Sequence, residues 1–195
     1  MTATPSGPPL PLWQSFAADA SFSDPGDCEQ KATWFEKRIE RRNWLEHAAG
    51  LSVIAFFGIG SVIAFVLGEW LIGATFVMIV LGTLITMRNL QRRATNLARR
   101  PEDPCRVHLR RQYQRQYDAL RSVPRWYVGP IVPGMVLFYV AVTTRVADEI
   151  GWERALEGAI GPAAVTVGIL AFVLLANLYA ARWLKREIDA LDALA

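Results

Sequence analysis

Four stretches of this sequence contain no Asp, Glu, Lys or Arg, and they constrain the fold more than any other feature. They cover residues 48–68, 70–87, 126–144 and 158–181, and they hold 21, 18, 19 and 24 residues. A helix of about 20 residues crosses the hydrocarbon core of a bilayer. A helix that faces water carries a polar stripe every three or four residues, which these windows lack. The sequence therefore predicts an all-α integral membrane protein with four transmembrane helices, arranged as two hairpins.

Lysine and arginine are concentrated in three of the segments that flank these windows. The segment between the second and third windows has 11 arginines and three acidic residues, whereas five basic residues precede the first window and three follow the fourth. The two remaining connections carry Glu69 alone, and then two arginines among four acidic residues. Basic residues mark the cytoplasmic side of a membrane protein. The charge pattern predicts a multi-pass protein of the bacterial inner (plasma) membrane, with both termini and residues 88–125 in the cytoplasm.

The chain divides into three parts. Residues 1–27 are rich in proline and predict a disordered tail, while residues 28–100 and 101–195 each predict a helical hairpin unit. Each unit has a cysteine, a charged helical stretch, two apolar windows and a charged helical exit. Two interpretations remain open, because residue identity between the units is slight. They are either a parallel repeat about an axis along the membrane normal or two ordinary hairpins.

The stretch RRQYQRQYDALRSVPRWYVGPIVPG, residues 110–134, joins an arginine-rich helix to the third window. Arginines and aromatic side chains in this position are typical of the membrane–water boundary. We expect contacts with anionic lipid headgroups, or with a cytoplasmic or membrane protein partner, from Arg110, Arg111, Arg115, Arg121, Arg125, Trp126 and Tyr127. Binding of nucleic acid is disfavoured, because topology already accounts for a basic cluster beside a membrane.

Apolar residues recur at helical spacing outside the windows. Leu109, Tyr113, Tyr117 and Leu120 form one such stripe, with Arg and Gln at the positions between them. Similar stripes follow the second and fourth windows: Met87, Leu90, Ala94 and Leu97, then Leu184, Ile188 and Leu191. The pattern predicts a helical bundle on the cytoplasmic side. The alternative is that these helices lie flat on the headgroups.

Small residues at intervals of four occur in the first and fourth windows. They are Gly60, Ala64 and Gly68, and Ala164 and Gly168. Small residues at this interval allow helix backbones to approach closely. We therefore expect them to pack helices together, within the chain or in a homo-oligomer.

Residues suited to catalysis or metal binding are few. Cys28, Cys105, His47 and His108 all belong to the predicted cytoplasmic side, where reducing conditions disfavour a disulfide. They could together make a Cys2His2 zinc site, but the interval from Cys28 to His47 is too long for a local ligand pair. We expect no metal, no cofactor and no enzyme activity, and we expect both cysteines to be dispensable for folding.

Function is less constrained than topology. The windows carry no Asp, Glu, Lys, Arg or His, although an ion-coupled carrier usually has such a side chain at membrane depth. The sequence favours a scaffold or regulatory protein that acts through its basic cytoplasmic helices. The alternative is an oligomeric channel or an uncoupled carrier.

The motif ALRSV-x-x-WY-x-x-P-x-x-PG, residues 119–134, resembles an uncharacterised family of small bacterial four-span membrane proteins. A weaker similarity covers FEKRIERRN, residues 35–43. Genes of that family often lie near those of extracytoplasmic-function sigma factors. The resemblance thus implies four spans and a regulatory association, and it assigns no catalytic residue.

Overall fold

The computed structural model describes residues 25–99 and 103–193, which form five α-helices and one π-helical turn. The helices are α1 (Pro25–Val66), α2 (Trp70–Arg93), α3 (Cys105–Arg121), α4 (Val132–Ile150) and α5 (Trp152–Ala193), and the π-helical turn covers Pro124–Val128. This part of the chain contains no strand, and the all-α prediction is confirmed. Of the predicted disordered tail, residues 25–27 belong to α1, and the rest lies outside the described residues.

The two longest helices, α1 and α5, have 42 residues each, and each joins a charged half to an apolar half without a break. The charged half comes first in α1 and last in α5. The 42-residue helix comes first in the first half of the chain and last in the second half. The element lengths therefore do not repeat in the same order, and the two-fold repeat stays a prediction.

Three helices are long and apolar enough to cross a membrane: α1, α2 and α5. Four had been predicted, and the difference lies in the window 126–144. Its first residues belong to the π-helical turn, a short turn follows, and α4 begins only at Val132. Pro130 and Pro133 explain the interruption, because proline lacks the amide donor that a helix needs. Because α4 begins late, a membrane-spanning length counted from its start includes three charged residues in its last turns, Arg145, Asp148 and Glu149.

Two glycines allow α2 and α4 to cross at close range. A Cβ atom added to Gly134 would lie 2.9 Å from the backbone nitrogen of Ile79. A Cβ atom added to Gly82 would lie 3.0 Å from the carbonyl carbon of Pro130. Neither position leaves room for a larger side chain. The crossing sets where the π-helical turn sits relative to α2, and Thr86 and Asn89 of α2 donate hydrogen bonds to carbonyls of that turn.

The charged halves of α1 and α5 pack with α3 into a bundle. Its apolar core contains Ala32, Phe35 and Ile39 of α1, Leu109, Tyr113 and Leu120 of α3, and Ala181, Leu184 and Ile188 of α5. The rings of Phe35 and Tyr113 meet edge to face at 4.6 Å between centroids. A second core cluster joins the end of α2 to α3 and the π-helical turn: Leu90, Ala94, Ala119, Val123, Trp126 and Val128. The apolar stripes therefore pack against one another in a bundle.

Cys28 at the start of α1 and Cys105 at the start of α3 form a disulfide, with their Cα atoms 6.3 Å apart. The expectation of two separate, reduced cysteines is wrong for this structure. It rested on the compartment, whereas the fold brings the first turns of two core helices together. Both cysteines pack against the apolar core of the bundle.

The small residues predicted to pack helices have different surroundings. Ala64 is buried, and a Cβ atom on Gly60 would meet the ring of Phe76 at 3.0 Å. Gly68 instead lies in the turn between α1 and α2 with a φ of 80°, which favours glycine. Ala164 and Gly168 are exposed on α5, so a packing role for them concerns a second molecule and stays a prediction.

Candidate functional site

The first candidate site is a groove between the end of α2 and the outer face of α3, with a volume of about 450 Å³. Its arginines are Arg92 and Arg93 of α2 and Arg110, Arg111 and Arg115 of α3. We call these five residues and the space between them the arginine groove. Asp118 is the one acidic residue among the described residues that line it. The groove therefore presents a strongly positive surface beside the bundle core.

Some of these arginines already have acidic partners and others do not. Arg110 pairs with Asp192 at 2.5 Å, and this hydrogen bond holds the pKa of the Asp192 carboxyl below its usual value. Arg111 pairs with Asp103 at 2.5 Å. Within the described residues, Arg92 and Arg93 form no ion pair. The α2 side of the groove is thus the side with free positive charge.

Arg115 holds the two walls of the groove together. One guanidinium nitrogen donates to the backbone carbonyl of Arg92 at 3.0 Å and to the hydroxyl of Thr95 at 3.3 Å. Its buried Nε atom has no hydrogen-bond partner among the described residues. Arg110 and Arg111 point into solvent as the stripe predicts, whereas Arg115 is half-buried and has a structural role as well.

The other residues expected at the headgroups lie at different depths. Arg121 and Arg125 are exposed, and Tyr127 is half-buried. Trp126 is 6% exposed, and its indole N–H donates to the carbonyl of Ala119 at 2.8 Å. We had expected this side chain at the membrane–water boundary, but it is buried inside the protein. The π-helical turn carries it inward, into the core cluster around Leu90.

Two buried glutamines on α3 were not identified from the sequence, because they were treated there as exposed polar positions between the apolar ones. Gln116 donates to the carbonyl of Ala94 at 3.1 Å, and Gln112 accepts from the backbone N–H of Leu97 at 2.9 Å. They satisfy backbone groups beyond the end of α2 that would otherwise be buried unpaired. The signal for them was present, because both follow the same helical spacing as the apolar stripe.

The second candidate site is an ion pair on α1, just before the first apolar window. Arg42 Nε lies 3.4 Å from Glu46 Oε1, and the side chains are 34% and 26% exposed. Arg42 also donates to Gln116 Oε1 at 3.3 Å. Within the described part of the chain, Arg42 Nε and Glu46 Oε2 are buried without a hydrogen-bond partner. Burial raises the pKa of the Glu46 carboxyl, although the charges of Arg42 and His47 lower it.

Three cavities meet at this ion pair. An inner chamber of about 100 Å³ touches both Arg42 and Glu46, together with Tyr127 and Asn177. Glu46 and Tyr127 also line an apolar pocket of about 290 Å³ between α1, α2 and α4. Arg42 and Asn177 also line a cavity of about 350 Å³ between α1, α3 and α5. The ion pair therefore lies between the cavity inside the helical bundle and the apolar pocket beside the first two apolar windows, and the inner chamber touches both of its residues.

The histidines are used in local contacts. His108 Nε2 lies 3.0 Å from Glu36, and His47 Nδ1 lies 2.7 Å from the carbonyl of Asn43. Among residues 25–99 and 103–193, no group of three or more His, Cys, Asp or Glu side chains could hold a metal ion.

No protein-family model, no curated protein and no solved structure matches the chain. The described residues are all-helical apart from turns, and three of their helices are long and apolar enough to span a membrane.

Proposed function

We propose that this chain is a scaffold or regulatory protein of the bacterial inner membrane, which binds an acidic segment of a protein partner at the arginine groove. The observation that carries the proposal is the convergence of five arginines on one groove of about 450 Å³. Arginine binds carboxylates through two parallel hydrogen bonds, which suits an acidic peptide. A regulatory role also agrees with the family that the sequence resembles.

The proposal needs a defined place for the groove relative to the membrane. We infer four spans, in which α4 is the third in chain order and joins α1, α2 and α5 as a span despite its charged last turns. Arg145 of α4 pairs with Glu69 in the turn between α1 and α2 at 2.9 Å, which supports a common boundary for the two elements. In this arrangement the groove and both termini face the cytoplasm, where basic residues belong.

Topology is tested by reporter fusions at residue 195 and near residue 98. Reporters that work only in the cytoplasm are expected to be active at both positions, and a fusion within the turn at Gly68 is expected to be inactive. Secreted-type reporters should give the opposite result. Activity of a secreted-type reporter at residue 195 would overturn the arrangement.

Peptide binding is tested with Arg92→Gln/Arg93→Gln, because these two arginines have free charge and contribute no packing to the core. We expect at least a ten-fold weaker affinity for a polyglutamate peptide, since two charge-assisted contacts are lost. The matched control is Arg182→Gln/Arg186→Gln, which removes the same charge from exposed positions of α5. Fluorescence anisotropy with protein in detergent measures both.

The outcomes separate specific binding from general electrostatics. Equal losses in the two double variants would show that net charge alone attracts the peptide, and would contradict the groove. Vesicles with and without anionic lipid form a second arm. If the groove variant loses vesicle binding but keeps peptide binding, the headgroups occupy the groove and the protein partner is excluded.

A second candidate function is an oligomeric channel or an uncoupled carrier. The observation in its favour is the apolar outer face of α5, where Val165, Ile169 and Phe172 are all more than half exposed. Such a face would contact lipid or further copies of the chain. Ion flux in proteoliposomes of purified protein distinguishes this function from the scaffold.

A further inference from the structure

The partly buried ion pair of Arg42 and Glu46, and the cavities beside it, do not belong to the arginine groove and are not explained by it. Arg42 Nε lies 3.4 Å from Glu46 Oε1 but has no hydrogen-bond partner among the described residues, and Glu46 Oε2 has none either. Buried polar atoms in native proteins are almost always hydrogen-bonded, so each exception calls for an explanation. Here both exceptions belong to one ion pair and border the same inner chamber.

The inner chamber has the size and polarity of a headgroup site. Its volume of about 100 Å³ is close to the share of about three water molecules in the liquid. Arg42, Glu46, Tyr127 and Asn177 supply its polar groups. The amide of Asn177 already donates to the carbonyl of Val173 at 2.7 Å, which leaves its oxygen as a further acceptor.

The apolar pocket continues from this chamber, because Glu46, Leu90 and Tyr127 line both cavities. Its walls are otherwise apolar, apart from Thr83 and Thr86. The Thr83 hydroxyl donates to the carbonyl of Ile79 at 2.8 Å. The Thr86 hydroxyl shares its one hydrogen between the carbonyls of Gly82 at 3.0 Å and Tyr127 at 3.1 Å. Apart from Glu46 and Tyr127, which it shares with the inner chamber, the pocket therefore offers an apolar chain about 290 Å³ of space.

We propose that the inner chamber and the apolar pocket form one binding site for an uncharged lipophile with a hydroxyl head, such as a long-chain alcohol. The hydroxyl donates to Glu46 Oε2 and accepts from Arg42 Nε, which satisfies both unpaired atoms. The chain extends between α1, α2 and α4.

Charge decides which head is bound. The charges of Arg42 and Glu46 cancel, so a neutral head adds no unbalanced charge to a buried site. An ammonium head would be attracted by Glu46 and repelled by Arg42, and a carboxylate head the reverse. A charged head therefore gains little net attraction and loses its hydration. An alkane has no group for either unpaired atom and leaves both unsatisfied.

The test uses the full-length protein in nanodiscs of uncharged lipid and a dodecanol analogue with a diazirine in its chain. Photolysis is expected to label α1 between residues 46 and 57, α2 between residues 79 and 90, or residues 131–135 at the start of α4. Unlabelled 1-dodecanol is expected to compete at least ten-fold better than dodecylammonium, dodecanoate or dodecane. Equal competition by dodecane would mean that any acyl chain fills the pocket, and labelling outside these residues would mean that the site is elsewhere. Either result overturns the proposal.

Two variants and a control locate the head and the chain. Glu46→Leu removes the acceptor at similar size, and Ala49→Phe fills the pocket from its exposed rim; each is expected to weaken labelling at least ten-fold. Leu51→Phe, at an exposed position that lines none of the three cavities, is expected to leave labelling unchanged. If Glu46→Leu does not fold, Ala49→Phe decides. Full labelling of a folded Ala49→Phe protein overturns the proposal.

Discussion

Reduction of the Cys28–Cys105 disulfide is expected to lower the free energy of unfolding by about 2–4 kcal/mol. The bond joins residues 77 positions apart and so closes a loop that includes α1, α2 and the start of α3. Opening such a loop increases the freedom of the unfolded chain. The bond also ties the first turn of α1 to the first turn of α3. The nearby ion pair between Glu29 of α1 and Arg99, in the segment before α3, is exposed at 3.1 Å and contributes little.

Thermal unfolding in detergent, with and without dithiothreitol, measures this effect. The Cys28→Ser/Cys105→Ser variant is the control, because it should unfold at the temperature of the reduced wild type and should not respond to the reductant. A wild-type protein whose unfolding temperature is the same with and without reductant would contradict the prediction.

The same bond bears on the compartment. The basic end of a membrane protein faces the cytoplasm, whereas disulfides persist in oxidising compartments. Under the proposed topology, alkylation of intact cells is expected to trap both thiols in reduced form, and the bond is expected to form after lysis. Thiols that resist alkylation in cells until a reductant is added would place the basic end outside, and would overturn the topology.

Replacement of Gly134 is expected to have a comparable effect on stability through the crossing of α2 and α4. A Cβ atom there would lie 2.9 Å from a backbone nitrogen of Ile79, and a backbone atom cannot move aside as a flexible side chain can. Gly134→Ala is expected to cost about 1–3 kcal/mol, and Gly134→Leu more, because the two helices must separate. Thermal stability in detergent measures both variants.

Gly168→Ala is the matched control. Gly168 is also a helical glycine in an apolar segment, but nothing lies within 4 Å of an added Cβ atom. Alanine favours the helix more than glycine does, so this variant is expected to be neutral or slightly more stable. If Gly134→Ala is as stable as Gly168→Ala, the close approach of α2 and α4 does not hold.

The helices and the bundle could be predicted from the sequence because both depend on local periodicity. The apolar stripe of Leu109, Tyr113 and Leu120 is buried, and so are Leu184 and Ile188 on α5. The interruption before α4 was harder to predict. Hydropathy averages over Pro130 and Pro133, whereas the backbone responds to each proline separately.

The candidate sites depend on contacts between residues that are far apart in the sequence, and helical periodicity does not predict such contacts. Arg42 and Gln116 are 74 positions apart and hydrogen-bonded, and Cys28 and Cys105 are 77 positions apart and bonded. Arg110, Arg111 and Arg115 were named in the sequence as residues that contact lipid or a partner, which stays a prediction, but the groove that they form with α2 was not predicted. Its α2 residues, Arg92 and Arg93, had been read only as charges that orient the membrane protein.

The continuity of α1 has a mechanical consequence. At 1.5 Å per residue its 42 residues extend about 60 Å, roughly twice the hydrocarbon thickness, and no proline interrupts them after Pro25. A change in tilt of about 10° at the membrane moves the far end of such a rod by about 10 Å. That far end is covalently joined to α3, which forms one wall of the arginine groove. Under the proposed topology, a change in the tilt of α1 is therefore expected to displace α3 and to change the width of the arginine groove.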